Sequence, residues 1–269
     1  MPKGTKRASP GAEEEKAPLQ NVELSDEDAQ KLQQVQREIA RAELVLERQA
    51  QLKLVSVYEK RREVVRTIDK FWPIALMNNT LIELHMQQGA DQLALSYLED
   101  VWVERDKQEP RCYTIEFHFK ENPYFADKVL TKEFKYVPPP LAANEKPDAD
   151  GIIPSMLDFS WDRDVESPSV KIHWKDASKA LTKLYPRETS KDEDPFPEYG
   201  SFFNFFEIEE DSKQLGLEIG NEIFPDAIDY FLGRHKDDLD SDDEDEDDDE
   251  DDEAEEIDLE KPRSKRRRV

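Results

Sequence analysis

The segment from Ser25 to Lys70 contains no proline and no glycine. A continuous helix of this length would extend roughly 69 Å at about 1.5 Å per residue, which exceeds the diameter of a small domain. Ser25 and Asp28 resemble a capping box in which aspartate replaces the usual glutamate or glutamine. The sequence therefore predicts one long helix that begins at Ser25.

One face of this predicted helix is apolar. Its apolar residues recur at spacings of three and four, fail near Gln49 and Lys53, and resume after a shift of four residues. Such an insertion is a stutter, which locally unwinds a coiled coil. No other segment of the chain has a comparable length, so we predict that a second copy of the chain covers the stripe; the alternative is a single helix lying along its own domain. The predicted dimerisation residues are Leu32, Val35, Ile39, Ala42, Leu46, Leu54 and Val57.

The chain after the long helix is predicted to form a small antiparallel sheet covered by helices, and the fold class is therefore α+β. Short helices are expected at 74–88, with Gly89 beyond the end, and at 92–98. Strands are expected around 101–103, 113–119, 130–136 and 170–174, and an amphipathic helical pattern covers 214–232. No crossover helix separates the strands, which favours a meander. The aromatic residues Phe202, Phe203, Phe205 and Phe206 are predicted to belong to the core.

Composition divides the chain into four parts. Residues 1–24 are polar and contain three prolines, which predicts a disordered arm. Residues 25–70 form the dimerisation helix, and 71–235 form the α+β domain, with an exposed loop at 138–168 and a linker at 186–198. Residues 236–269 are predicted to be a disordered acidic tail that ends in a basic cluster.

The charge of the chain is concentrated at its end. The formal net charge is −26, residues 237–260 hold 19 acidic residues and no basic one, and the last nine residues hold six basic ones. An evenly spread acidic excess only keeps a protein soluble, but that does not explain twelve consecutive acids from Asp242 to Glu253. A field of this sign repels nucleic acid and attracts polycations. The expected partners are therefore strongly basic proteins.

The sequence lacks the usual signatures of catalysis. It contains no phosphate-binding glycine loop and no nucleophile elbow, and its four histidines are far apart without metal-ligand spacing. Cys112 is the only cysteine, so no intrachain disulfide can form. No apolar run reaches the length of a membrane span, and the N-terminus has no secretory signal. We expect an intracellular protein that is not an enzyme and uses no cofactor or metal.

Several strings of residues resemble the nucleosome assembly protein family of histone chaperones. These are Lys120–Phe125, Val129–Phe134, Gly200–Phe206, and Glu222–Asp226 leading into Tyr230 and Phe231. The resemblance covers roughly residues 25–235 and is nearest to the SET branch, also called template-activating factor I beta. The ending, Glu255–Leu259 and then Lys265–Val269, is similar to a fungal member that assists a histone acetyltransferase.

The resemblance implies a headphone-shaped homodimer in which two long helices pair antiparallel and carry an α+β "earmuff" at each end. It also implies binding of core histones, either the tetramer-forming pair (histones three and four) or the flanking pair, and their deposition onto DNA. A histone acetyltransferase is an implied partner, whereas sequence-specific nucleic acid is not. The loop at 138–168 and the shorter acidic tail depart from the SET pattern.

Two groups of residues are candidates for function. The predicted histone-binding residues are Glu207, Glu209, Glu210, Asp211, Glu218, Glu222 and Asp226 on the body, with Asp242, Asp243, Glu244, Asp245, Glu246 and Asp247 in the tail. The cluster of Lys265, Arg266, Arg267 and Arg268 is a candidate nuclear import signal, which predicts a nuclear protein that can shuttle with the cytoplasm. The alternative function is an acidic inhibitor or scaffold that docks on an enzyme such as a phosphatase or a histone acetyltransferase.

Overall fold

The computed structural model of this chain describes residues 24–187, 199–209 and 212–234. The predicted arm up to residue 23, most of the predicted linker at 186–198, and the predicted tail lie outside the described residues. All statements below concern the described part of the chain.

The long helix is present and begins where the sequence predicted. Helix α1 spans Asp26–Val65, and the hydroxyl of Ser25 caps it by accepting from the backbone N–H of Asp28 at 3.1 Å. The helix ends five residues before Lys70, although no proline or glycine stops it. Lys70 instead adopts a left-handed conformation (φ 57°), which redirects the chain so that Phe71 and Trp72 enter the core.

Short helices follow, and their boundaries differ from the prediction. They are α2 (Phe71–Met77), α3 (Thr80–His85) and α4 (Gly89–Leu95). The single helix predicted over 74–88 is wrong, because Asn79 starts a new helix by accepting from the backbone N–H of Ile82 at 3.0 Å. The prediction for Gly89 is also wrong, since this residue begins α4. Pro73 fits the first turn of α2, where a backbone N–H has no partner to lose.

The sheet is the predicted antiparallel meander. Its strands β1 (Leu98–Arg105), β2 (Tyr113–Phe119), β3 (Val129–Tyr136) and β4 (Val165–Glu166) lie in sequence order, and each pairs antiparallel with the next. Every second residue of β2, from Tyr113 to Phe119, is buried. This alternation is the one expected when one face of a sheet covers the core.

The fourth strand is not the predicted one. The segment 170–174 forms only an isolated bridge between Phe125 and Trp174, so the strand predicted there is wrong. Its backbone pairs with a different partner, because the N–H of Val170 donates to the carbonyl of Phe206 at 2.7 Å.

The segment 138–168 also differs from the exposed loop predicted for it. It contains two 3-10 turns, at Pro140–Asn144 and Pro154–Asp158, and a short helix α5 (Trp161–Asp164). Ile152 and Met156 are buried against Leu44 of α1 in a small cluster of their own. The segment therefore packs against the middle of the long helix.

The remaining helices close the core around the phenylalanines. They are α6 (Leu181–Leu184), α7 (Asn204–Glu207), α8 (Ser212–Leu217) and α9 (Ala227–Leu232), with a π-helical turn at Glu218–Ile223. The four predicted core phenylalanines are fully buried, and the ring of Phe206 meets that of Phe117 edge to face at 5.2 Å. This confirms their assignment to the core.

Gly216 provides a test of the packing between α8 and the sheet. A Cβ at this position would lie 2.0 Å from Cζ of Phe134, whose ring is buried. We expect Gly216→Ala to lower the free energy of unfolding by at least about 1–3 kcal/mol, since the overpacked ring has no space to move into. Gly89→Ala is the matched control, because nothing lies within 4 Å of its added Cβ. Equal urea midpoints for the two variants would show that α8 does not pack as described.

Candidate functional site

Most of the predicted stripe of α1 faces solvent. Leu32, Val35, Ile39, Leu46 and Val57 are 50–64% exposed, Ala42 is exposed, and Leu54 is half-buried. At 3.6 residues per turn, positions 32, 39, 46 and 57 lie within an arc of about 40° on the helix. Nothing in the described chain covers this arc.

The other side of α1 is attached to its own domain. The guanidinium of Arg41 pairs with Asp148 at 2.7 Å, and that of Arg48 donates to the carbonyls of Gln108 at 2.8 Å and Asp150 at 2.7 Å. These contacts and the Leu44 cluster fix the helix by the face opposite the stripe. The domain therefore leaves the stripe available to a partner.

Arg61 connects the end of α1 to the domain. Its guanidinium lies 4.6 Å from the ring centre of Tyr58 and 4.5 Å from that of Phe224, and it donates to the carbonyl of Pro225 at 2.9 Å. Burial lowers its pKa to about 10, so the group remains charged at neutral pH. The attraction between this half-buried cation and the two aromatic rings holds the end of the helix against the domain.

Three of the predicted histone-binding acids lie together. Burial raises the pKa of Tyr230, and the charges of Glu218, Glu222 and Asp226 raise it further, against the hydrogen bond with Asn79, which lowers it. Glu218 is half-buried and accepts from the side chain of Asn79, whereas Glu222 and Asp226 are exposed. We call these three residues the helical acidic face.

The other predicted acids of the body are arranged differently. Glu207 is half-buried and accepts from the backbone N–H of Ile172 and from the indole N–H of Trp174, both at 3.3 Å. Its carboxylate therefore binds groups of its own domain, which the sequence did not predict. Glu209 is exposed, and its charge acts on Lys132. Glu210 and Asp211 lie outside the described residues.

Lys132 holds the segment that carries Glu207 and Glu209, and sequence reasoning missed it. The residue is buried, and its ammonium donates to the carbonyls of Pro168 at 3.1 Å and Ile208 at 3.0 Å. Burial lowers its pKa to about 8. The signal was available in the sequence, because Lys132 occupies an inward position between Leu130 and Phe134 of β3.

Asp91 holds the start of the same segment and was also missed. It is buried in α4 and accepts from the hydroxyl of Ser201 at 2.6 Å and from the backbone N–H of Phe202 at 2.9 Å. Burial raises its pKa to about 6. No local pattern in the sequence pairs this aspartate with a segment more than a hundred residues away.

The remaining predicted site residues, Asp242–Asp247 in the tail and Lys265–Arg268 in the basic cluster, lie outside the described residues. Across the ranges that are described, no helix is long and apolar enough to cross a membrane. In the same ranges, no group of three or more histidine, cysteine, aspartate or glutamate side chains is placed to hold a metal ion.

The architecture is an α+β domain attached to one face of a long helix, whose other face carries an exposed apolar stripe. The profile of the family described as nucleosome assembly protein (NAP) matches residues 22–234. The chain therefore belongs to the nucleosome assembly protein family, which confirms the resemblance found in the sequence.

Individual relatives agree with this assignment. Protein SET of Drosophila melanogaster is 29% identical over 177 residues, which cover 65% of this chain and 59% of that protein. Protein SETSIP of Homo sapiens is 31% identical over 186 residues, which cover 67% of this chain and 55% of that protein. The match thus spans less than two thirds of the length of either relative.

A solved structure shares the fold. The crystal structure of Ccp1 has a TM-score of 0.57 and 23% identity, and the match covers 77% of this chain and 94% of that chain. The α+β fold with a long N-terminal helix, predicted from the sequence, is confirmed.

Proposed function

We propose that this chain is a histone chaperone, which binds core histones through acidic surfaces as a homodimer and promotes nucleosome assembly. The observation that carries the proposal is the run of twelve acids, Asp242–Glu253, on a body that belongs to the nucleosome assembly protein family. The histones are the tetramer-forming pair, the flanking pair or both. A histone acetyltransferase is a further proposed partner, supported only by the resemblance of the chain's ending.

The mechanism follows from electrostatic competition. Free histones bind DNA nonspecifically through many lysines and arginines, driven by counterion release. A polyanion competes for the same cations, and each exposed ion pair contributes only about 0–1 kcal/mol. Binding must therefore be multivalent, and a dimer doubles the number of acidic surfaces. Weak individual contacts also allow the client to leave for DNA.

The spacing of the apolar stripe supports an antiparallel dimer. The exposed or half-exposed positions 32, 39, 46, 50, 57 and 64 are separated by seven, seven, four, seven and seven residues, which reads the same in both directions. A two-fold axis on the stripe side of α1, level with position 48, would pair Leu32 with Val64 of a second copy and Ile39 with Val57.

The charges of α1 and its flanking residues favour the same polarity. Residues 25–47 carry six acids and three bases, whereas residues 49–70 carry three acids and six bases. An antiparallel pair brings the acidic half of one helix beside the basic half of the other. A parallel pair would place like charges together.

Charged substitutions in the stripe test the dimer. We expect Ile39→Glu with Leu46→Glu to weaken dimerisation by at least a hundredfold, because burying unpaired charge in the seam costs several kcal/mol. Leu141→Glu is the control, since Leu141 is 77% exposed and lies on the 138–168 segment. Sedimentation at micromolar concentration measures the result. A monomeric wild-type protein, or a doubly substituted protein that stays dimeric, would contradict the proposed interface.

The tail and the body have different proposed roles. Residues 237–260 contain almost no apolar side chains, and such a polyanion supplies long-range capture with little selectivity for shape. The helical acidic face is held by folded elements and offers fixed geometry. We propose that it recognises the client after the tail has captured it.

A salt series separates these roles. Deleting residues 237–269 is expected to weaken histone binding most at low salt and to leave a measurable complex near physiological salt. Glu222→Gln with Asp226→Asn in the shortened chain should then weaken that complex by about tenfold or more. Glu63→Gln with Asp69→Asn removes the same charge from exposed positions elsewhere and should have little effect. If tail deletion alone abolishes binding at every salt concentration, the body recognises nothing.

Nuclear location is proposed through the cluster at Lys265–Arg268. A short run of basic residues is typical of an import signal. Replacing the four residues with alanine in a tagged protein is expected to leave it in the cytoplasm. Unchanged nuclear accumulation would show that the cluster serves another purpose, such as pairing with the adjacent acids.

A further inference from the structure

A slot of about 300 Å³ separates the middle of α1 from the edge strand β1. Leu52, Val55 and Tyr58 line its helix side, the run from Trp102 to Lys107 lines its strand side, and Phe224 contributes to its wall. None of the proposed histone-binding or dimerisation residues belongs to this slot.

The apolar residues of the slot are unusually exposed. Leu52 is 72% exposed and Val55 is 44% exposed. At 3.6 residues per turn, they point roughly 150° away from the stripe that contains Ile39 and Val57. A second copy that covers the stripe therefore leaves the slot open, so dimerisation does not explain these residues.

The strand side of the slot offers unpaired backbone groups. The N–H of Asp106 donates to the carbonyl of Cys112 at 2.9 Å, which shows that the even-numbered residues of β1 exchange hydrogen bonds with β2. The N–H and C=O groups of Val103 and Arg105 must then point to the outer edge. They have no hydrogen-bond partner in the part of the chain that the structure describes. A free edge of this kind is a template for a further strand.

The charged rim of the slot selects the kind of strand. The arginines of the lining keep their charge but are half-buried, and their guanidiniums donate to carbonyls, Arg48 to those of Gln108 and Asp150, and Arg105 to those of Pro110 at 2.9 Å and Gly220 at 2.6 Å. The exposed acids Glu59, Glu104 and Asp106 outnumber the one exposed base of the lining, Lys107. The exposed side chains at the mouth of the slot therefore favour a basic segment over the chain's own acidic tail.

We propose that the slot binds an extended segment of the histone client, with apolar and basic side chains, by adding it as a strand to the outer edge of β1. The backbone groups of Val103 and Arg105 supply the pairing, and Leu52 and Val55 cover the apolar side chains. This inference rests on the proposed function. It adds to the acidic surfaces a site that does not depend on charge alone.

Amide hydrogen exchange on the unmodified full-length dimer tests the strand addition. The probe is the purified complex of histones three and four. The amides of Val103 and Arg105 are expected to exchange in the free protein and to become at least tenfold slower on binding, while the paired amides of Trp102 and Glu104 are slow throughout. Slow exchange at Val103 and Arg105 in the free chain would show that a segment of the chaperone fills the slot, and would overturn the inference.

Substitution of the helix side gives an independent readout. Leu52→Gln with Val55→Gln is expected to weaken histone binding about tenfold at physiological salt, with a loss that persists at higher salt because apolar contacts are not screened. Sedimentation should show an intact dimer, and Leu141→Glu should bind like the wild type. If the wild-type protein binds no histone, the proposed function itself fails. If it binds, and neither the substitutions nor the amides respond, only the slot inference is overturned.

Discussion

The arginines on one face of α1 determine how the molecule is assembled. Arg41 and Arg48 bind the 146–156 region and the β1–β2 turn, and Arg62 pairs with the buried Asp100. Because these contacts use one side of the helix, the apolar stripe on the other side has no partner within the described chain. The orientation of α1 therefore keeps the stripe available, since a helix rotated by half a turn would bury it against its own domain.

Buried ionised groups perform a similar task inside the domain. Asp91 holds the start of the phenylalanine-rich segment and Lys132 holds its end, so the four rings between them enter the core at defined positions. Such groups cost free energy to bury and are retained only when their hydrogen bonds are satisfied. These two groups fix the position of Glu207 and Glu209 relative to the sheet. The carboxylate of Glu207 accepts a hydrogen bond from the indole of Trp174.

The sequence was sufficient to predict those elements whose residues carry a regular apolar pattern. Helix α1 and strands β2 and β3 follow from helical periodicity, capping and alternation. The failures depend on contacts beyond the local sequence. Asn79 divides a helix that periodicity joins, and 170–174 pairs with Phe206 and with the 124–126 turn rather than with a strand. The acidic sites were predicted only as charged residues, because distant partners such as Asn79 and Trp174 decide which carboxylates remain available.

Native mass spectrometry of the full-length protein with each histone pair tests the central claim most directly. A histone chaperone built as a dimer should give a complex that contains two copies of the 31.4 kDa chain and at least one histone pair, and this complex should survive near physiological ionic strength. Detection of a single copy of the chain, or of the dimer without histones under these conditions, would contradict the account.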